Sequence, residues 1–126
     1  EEEREDYSAL LAQGLIRPGQ LELMLMDADG SNKRQLTDNG AANFAPFLHP
    51  DNDTIIFCSN IEDPDGFAFN LYTYSLSTGK TEQVTFHEDF DGFPMFSPCG
   101  KYLVWCSNRN NSQPRETNVF IAEWVP

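Results

Sequence analysis

From residue 20 onward the apolar positions keep no 3.6-residue period and gather instead in short runs such as "LELMLM", "TIIFCS", "YLVWCS" and "NVFIAEW". These runs are rich in β-branched and aromatic residues and are bounded by Pro, Gly, Asp and Asn, which marks them as strands separated by turns. One stretch differs. In "REDYSALLAQGLI", 4–16, Tyr7, Leu10, Leu11 and Gly14 fall on one face, acids crowd the front, and Gly14 offers a stop, so a short N-terminal helix is predicted.

The punctuation of the strands repeats. "NFAPFLHPDNDTIIFCSN", 43–60, and "DGFPMFSPCGKYLVWCSN", 91–108, align at an offset of 48 residues, with Pro46 on Pro94, Pro50 on Pro98 and Cys58-Ser59-Asn60 on Cys106-Ser107-Asn108. The register continues: Gln35-Leu36-Thr37 falls on Gln83-Val84-Thr85, and Leu71-Tyr72 meets both Leu23-Met24 before it and Val119-Phe120 after it. Each unit divides into four strands. Strand A is 44–48 and 93–97, strand B 54–59 and 102–107, strand C 21–27, 69–76 and 118–124, and strand D 33–37 and 81–85. Turns such as "DADGSN", "LSTGKT", "HPDND" and "SPCGK" join them. Four strands recurring at this spacing predict an all-β chain of β-propeller blades, each of four antiparallel strands. About two blades fit: a helical segment at 1–20, then units over 21–68 and 69–116 and a final strand at 117–124.

Composition narrows the functional classes. Lys plus Arg number 8 against 20 Asp plus Glu, a formal charge of −12, which repels phosphate backbones and argues against nucleic acid as a partner. No apolar run reaches the ~18–20 residues of a membrane-spanning helix. The three cysteines, Cys58, Cys99 and Cys106, lack C-x-x-C spacing, so neither a zinc site nor a disulfide scaffold is indicated. Cys58 and Cys106 hold the same position in neighbouring blades. Blades stack at about 10 Å, beyond the ~7 Å Cα limit of a disulfide, so both are expected as buried, reduced thiols.

Catalytic and metal motifs are weak. His49 and His87 sit at non-equivalent positions without a second histidine nearby and read as loop residues. "DADG", 27–30, lacks the remaining ligands of a calcium loop and reads as a hairpin turn. No G-x-S-x-G surrounds Ser97, because Met95 stands at the place of the first glycine.

"LELMLMDADGSNKRQLT" followed by "NFAPFLHPDNDTIIFCSN" resembles the TolB-type (PD40, WD40-like) β-propeller repeat. The residues "RQLT", "SPCGK" and "CSNR" carry the match, over roughly 21–124. Two turns depart from the pattern: Cys99 replaces the usual Asp, and "HPDND" replaces "SPDGK". The resemblance implies a non-catalytic, periplasmic or otherwise extracytoplasmic propeller that binds proteins. The alternative is the accessory propeller of a larger hydrolase or lyase, presenting substrate to it. Fold alone does not decide between them.

The 48-residue period exceeds a compact blade, and the extra length lies between strands B and C, in "IEDPDGFAF" and "RNNSQPRE". In an up-and-down blade these loops share a face with "FHEDFDG", so Glu62, Asp63, Asp65, Glu88, Asp89 and Asp91 are expected together there. Such a face suits a basic protein or peptide, or weak divalent-cation binding through carboxylates, with no resident cofactor. The competing reading is acidic loops that only keep the protein soluble. For Asp91, whose counterpart is Asn43, the competing reading is a side chain capping the entry to strand A. Two blades cannot close a ring, which needs at least about four. The remainder of a propeller, or further copies of the chain (three would give six blades), is therefore an expected partner. A stable isolated monomer is not expected.

Overall fold

The computed structural model describes residues 2–15 and 19–125. Helix α1 spans Glu2–Leu11 and is followed by nine strands: β1 (Met24–Leu25), β2 (Arg34–Gln35), β3 (Asn43–Leu48), β4 (Thr54–Ser59), β5 (Asn70–Ser75), β6 (Thr81–Gln83), β7 (Asp91–Phe96), β8 (Tyr102–Ser107) and β9 (Asn118–Glu123). They form three antiparallel sheets in chain order: β1-β2, then β3-β4-β5-β6, then β7-β8-β9. The chain is therefore all-β apart from the helix: strands C and D of one blade, a whole blade, and strands A to C of a third. No barrel closes.

The repeat predicted at 48 residues is present in the hydrogen bonds. Parallel bridges Leu21↔Ala42 and Phe69↔Phe90 tie strand C of one sheet to the entry of the next. The Leu36 and Val84 amides donate to Leu23 O and Leu71 O at 2.8 Å in both cases. Strand A is bulged twice at equivalent places, between Phe44/Phe47 and between Gly92/Met95. Each bulge holds a proline, which has no N–H to offer the ladder, and the residue before it turns left-handed (Ala45 φ 51°, Phe93 φ 53°). The prolines thus place a kink on the inner edge strand of each blade.

Strand β4 is buried from Ile55 to Ser59 because the middle blade is covered on both faces. On one side Leu23 packs with Ile55, Phe57 and Tyr72. On the other, Ile56, Cys58 and Leu71 pack with Phe96, Leu103 and Trp105 of the third blade. Among the described residues nothing packs on the far side of the third blade, and this shows in its strands: Val119 is 71% exposed where its counterpart Leu71 is 0%.

Three sequence expectations change. The helix ends at Leu11 rather than running to 16, Gly14 follows it with φ 71°, and Ile16 lies outside the described residues. Its apolar face covers nothing, since Tyr7 and Leu11 stay exposed and no helix residue is buried. The ladder of the first strand C shortens from 21–27 to Met24–Leu25 because no strand B lies beside it. All three cysteines are free as expected, but only Cys58 is buried; Cys106 is half-buried on the uncovered blade. Burial pushes the Cys58 thiol up to about 12, the behaviour of an inert core side chain.

Candidate functional site

The "SN" that closes each strand B organises the loop face. Ser59 Oγ accepts the Ile61 amide (3.2 Å) and Ser107 Oγ the Arg109 amide (3.1 Å), so the chain leaves the strand through a serine-capped turn. The asparagine that follows fastens loop to loop. Asn60 Oδ1 accepts the Ala42 amide at 2.8 Å, while its Nδ2 donates to Pro64 O and Gly66 O, both at 3.1 Å. Asn108 Oδ1 accepts the Phe90 amide at 3.1 Å and the His87 ring Nε2 at 2.9 Å. The long B–C loops and the D–A loops are thus anchored together at their bases on one face. His87 is a loop residue, as the sequence predicts, and its bond to Asn108 ties one loop to another, a role that the sequence did not disclose.

Five of the six acidic candidates lie on these loops with exposed side chains: Glu62, Asp63, Asp65, Glu88 and Asp89. Asp63 folds back over Gly66, where an added Cβ would stand 2.6 Å from its Oδ2. Asp89 contributes its carbonyl to the Phe69 amide at 2.8 Å, joining the two loops. The Tyr72 phenol is pushed up to about 12 by burial and, secondarily, by the charge of Glu62. Among the described residues, no three His, Cys, Asp or Glu side chains stand together in a group able to hold a metal ion. In the third blade's loop, Glu116 caps its own turn, accepting the Ser112 amide at 2.6 Å and the Ser112 hydroxyl at 2.8 Å. These bonds, the hydroxyl's first, hold its carboxyl below the ordinary value.

Asp91 is a correction to the sequence reading. It lies in β7, is 0% exposed, and cannot present its carboxylate on the loop face. Its oxygens face inward, one accepting Trp105 Nε1 at 3.2 Å and the other paired with the Arg109 guanidinium. Arg109 also donates from Nε to Ser107 Oγ at 3.0 Å and lies over the rings of Trp105 and Phe120, 5.5 and 5.8 Å from their centroids. A buried carboxylate needs such partners, because its desolvation is otherwise uncompensated. The counterpart Asn43 solves the same position without charge, donating to Leu21 O at 2.9 Å and accepting the Ser59 hydroxyl at 2.8 Å. Arg109 is the residue missed by sequence reasoning, and the signal lay in the repeat: where the middle blade has Asn43, Phe57 and Ile61, the next has Asp91, Trp105 and Arg109. Arg109 and His87, with Val84, Thr85, Phe86 and Asn110, line a groove of about 510 Å³ on this face.

Three stacked, meandering sheets with a twice-repeated bulge and stapled loops define a partial β-propeller, and known proteins resemble it. No family model matches the chain. The Tol-Pal system protein TolB of Francisella tularensis subsp. mediasiatica is 32% identical over 103 residues, covering 79% of this chain and 22% of that protein. The Tol-Pal system protein TolB of Gluconobacter oxydans is 27% identical over 101 residues, covering 80% of this chain and 20% of its own length. The crystal structure of TolB from Acinetobacter baumannii superposes with a TM-score of 0.67 at 23% identity, over 84% of this chain and 25% of that one. The chain belongs to the TolB-type β-propeller repeat family. It spans about a fifth of the length of the curated relatives it matches. No helix among the described residues is long and apolar enough to cross a membrane.

Proposed function

We propose that this chain is a segment of a non-catalytic, periplasmic propeller that binds a protein or peptide through its loop face. The observation that carries the reading is the pair of asparagine staples, Asn60 and Asn108, which hold long loops on one face of rigid blades. Loops fixed at their bases on a stiff scaffold are where binding usually resides. Relatives named as Tol-Pal system components support a role in protein interaction and the periplasmic location. The exposed carboxylates of Glu62, Asp63, Asp65, Glu88 and Asp89 favour a basic partner, which the overall charge would also steer toward the chain. Further blades, from other copies or from a longer chain, complete the ring.

The test replaces Glu62, Asp63, Glu88 and Asp89 together by Ser and titrates a lysine-rich peptide by calorimetry at low and physiological salt. Binding is expected in the parent chain, weakened by salt, and lost in the variant with its melting curve unchanged. Equal heats for parent and variant would reduce these loops to solvated surface.

A further inference from the structure

We infer that the groove between Arg109 and His87 is a binding site for a carboxylate group of the partner. This deepens the proposed loop-face binding and rests on it only for the partner being a protein or peptide.

The groove arises from a change within the repeat. One wall is the D–A loop of the middle blade, with Val84, Thr85, Phe86 and His87, and the other is the B–C loop of the third, with Arg109 and Asn110. Forty-eight residues earlier the same places hold Leu36, Thr37, Asp38, Asn39, Ile61 and Glu62. There Leu36 and Ile61 pack against one core cluster, so apolar side chains fill the junction. At the second junction Ile61 gives way to Arg109, Asn39 to His87, Asp38 to Phe86 and Glu62 to Asn110. Two acids are lost, and an arginine and a histidine are gained. The chain as a whole has 20 Asp and Glu against 8 Lys and Arg, yet among the described residues no acid lines this groove of about 510 Å³. Its local charge suits an anion.

The donors are set before any ligand arrives. Asp91 takes one edge of the Arg109 guanidinium, and Ser107 Oγ accepts from Nε at 3.0 Å. The rings of Trp105 and Phe120 fix its plane. Nη1 has no partner among the described residues, and the side chain is 31% exposed. A guanidinium has more N–H groups than Asp91 and Ser107 use, so donors remain for a second carboxylate. On the opposite wall Asn108 Oδ1 accepts both the Phe90 amide, at 3.1 Å, and His87 Nε2, at 2.9 Å. Nε2 is therefore the ring nitrogen that carries the hydrogen, and Nδ1 is the one left to take up a proton. The imidazolium so formed adds a second cation to the groove. Around His87 the charged groups are Arg109 across the groove, with Asp91 behind it, and Glu88 and Asp89 in its own loop. Asn70, which accepts the His87 amide at 2.7 Å, and Asn108 are neutral. Phe86, 76% exposed, offers an apolar face to the carbon chain that bears the carboxylate.

The experiment titrates two probes into the purified chain and follows the NMR signals of the His87 ring, Phe86 and Asn110. N-acetyl-leucine carries a terminal carboxylate and N-acetyl-glutamate α-amide a side-chain one. The tighter probe names the source, and equal affinity means that the carboxylate alone is read. N-acetyl-leucine amide and N-acetyl-glutamine amide, which lack the charge, should shift nothing. Affinity should fall about tenfold as the pH rises from about 5 to about 8 and His87 gives up its proton. His87→Gln should bind weakly and show no such dependence. The triple variant Asp91→Asn, Trp105→Phe, Arg109→Ile restores the residues of the preceding junction, and should bind neither probe while melting near the parent. Uncharged probes that bind as well as the acids, an affinity indifferent to pH, a folded triple variant that still binds, or no binding at all would each overturn the assignment. The quadruple Ser variant lacks Glu88 and Asp89, so it should take the carboxylate probes at least as tightly while losing the lysine-rich peptide. Failure of the acidic-loop reading and failure of this one are thus distinguishable.

Discussion

Asp91, Trp105 and Arg109 act as a set, because Asn43, Phe57 and Ile61 hold the equivalent positions with no charge at all. Replacing Arg109 by Ile leaves a fully buried carboxylate with, among the described residues, the Trp105 indole as its side-chain donor. Since the Arg109 side chain is 31% exposed, solvent screens part of the loss, and a destabilisation of about 2 kcal/mol is expected from urea unfolding. The triple variant Asp91→Asn, Trp105→Phe, Arg109→Ile rebuilds the neutral arrangement and should lie within about 1 kcal/mol of the parent. A triple variant no more stable than the single one would show that the three do not act together. Tyr72 gives the opposite sign. Its hydroxyl is buried and has no hydrogen-bond partner among the described residues. Tyr72→Phe removes that burden and should stabilise the chain by about 1 kcal/mol, read from the same unfolding curves.

Among the elements, the A–B turns differ most between units. Asn52 (φ 57°) and Gly100 (φ 70°) share the left-handed position. A Cβ on Gly100 would stand 2.7 Å from His49 Nε2, whose ring bonds Gly100 O at 3.0 Å. Gly100→Ala should therefore cost about 1–2 kcal/mol, while Asn52→Gly should be near neutral. Asp51 caps its turn with four contacts: the Asp53 and Thr54 amides at 2.8 Å, the Thr54 hydroxyl at 2.7 Å, and His49 at 3.2 Å. Desolvation pulls its carboxyl up, but these bonds outweigh it and hold it at about 2 against the ordinary 3.8. Because the folded value is the lower one, the stabilisation is whole above about pH 4 and disappears as pH falls toward 2. With the side chain 42% exposed it amounts to less than about 1 kcal/mol, and Asp51→Asn should flatten the acid limb of the stability curve by that much. These elements also mark what was legible beforehand. Strands B and the full-length strands C could be placed almost to the residue, since local alternation and the 48-residue register agree for them. Strand 21–27 could not, because its length depends on a neighbouring strand that its own residues do not encode. The direction of Asp91 was equally hidden: its partners stand 14 and 18 residues away and show only when the units are compared position by position.

For the whole molecule, the face of the third blade is the controlling feature. Phe93, Met95, Val119 and Ile121 are exposed there, at positions where the middle blade has Ala45, Phe47 and Leu71 packed and Thr73 half-buried. An apolar sheet face of this kind drives association. Light scattering over a dilution series should show self-association that falls when Val119→Glu and Ile121→Lys are introduced together; a monomer at every concentration would refute it. The meander of the sheets has a consequence of a different kind, for how the chain comes to fold. Within each sheet every strand pairs with its neighbour in sequence, so no sheet waits for a distant segment, and loop closure costs little at each step. As a growing chain leaves the ribosome, the middle blade can form once residue 85 has emerged. Its Ile56, Cys58 and Leu71 face then lies bare until β7 and β8 arrive. Folding should thus advance blade by blade from the N-terminus, each new sheet using the last as its template. Amide exchange should carry that history, slowest in β4 and fastest in β1, β2 and β9.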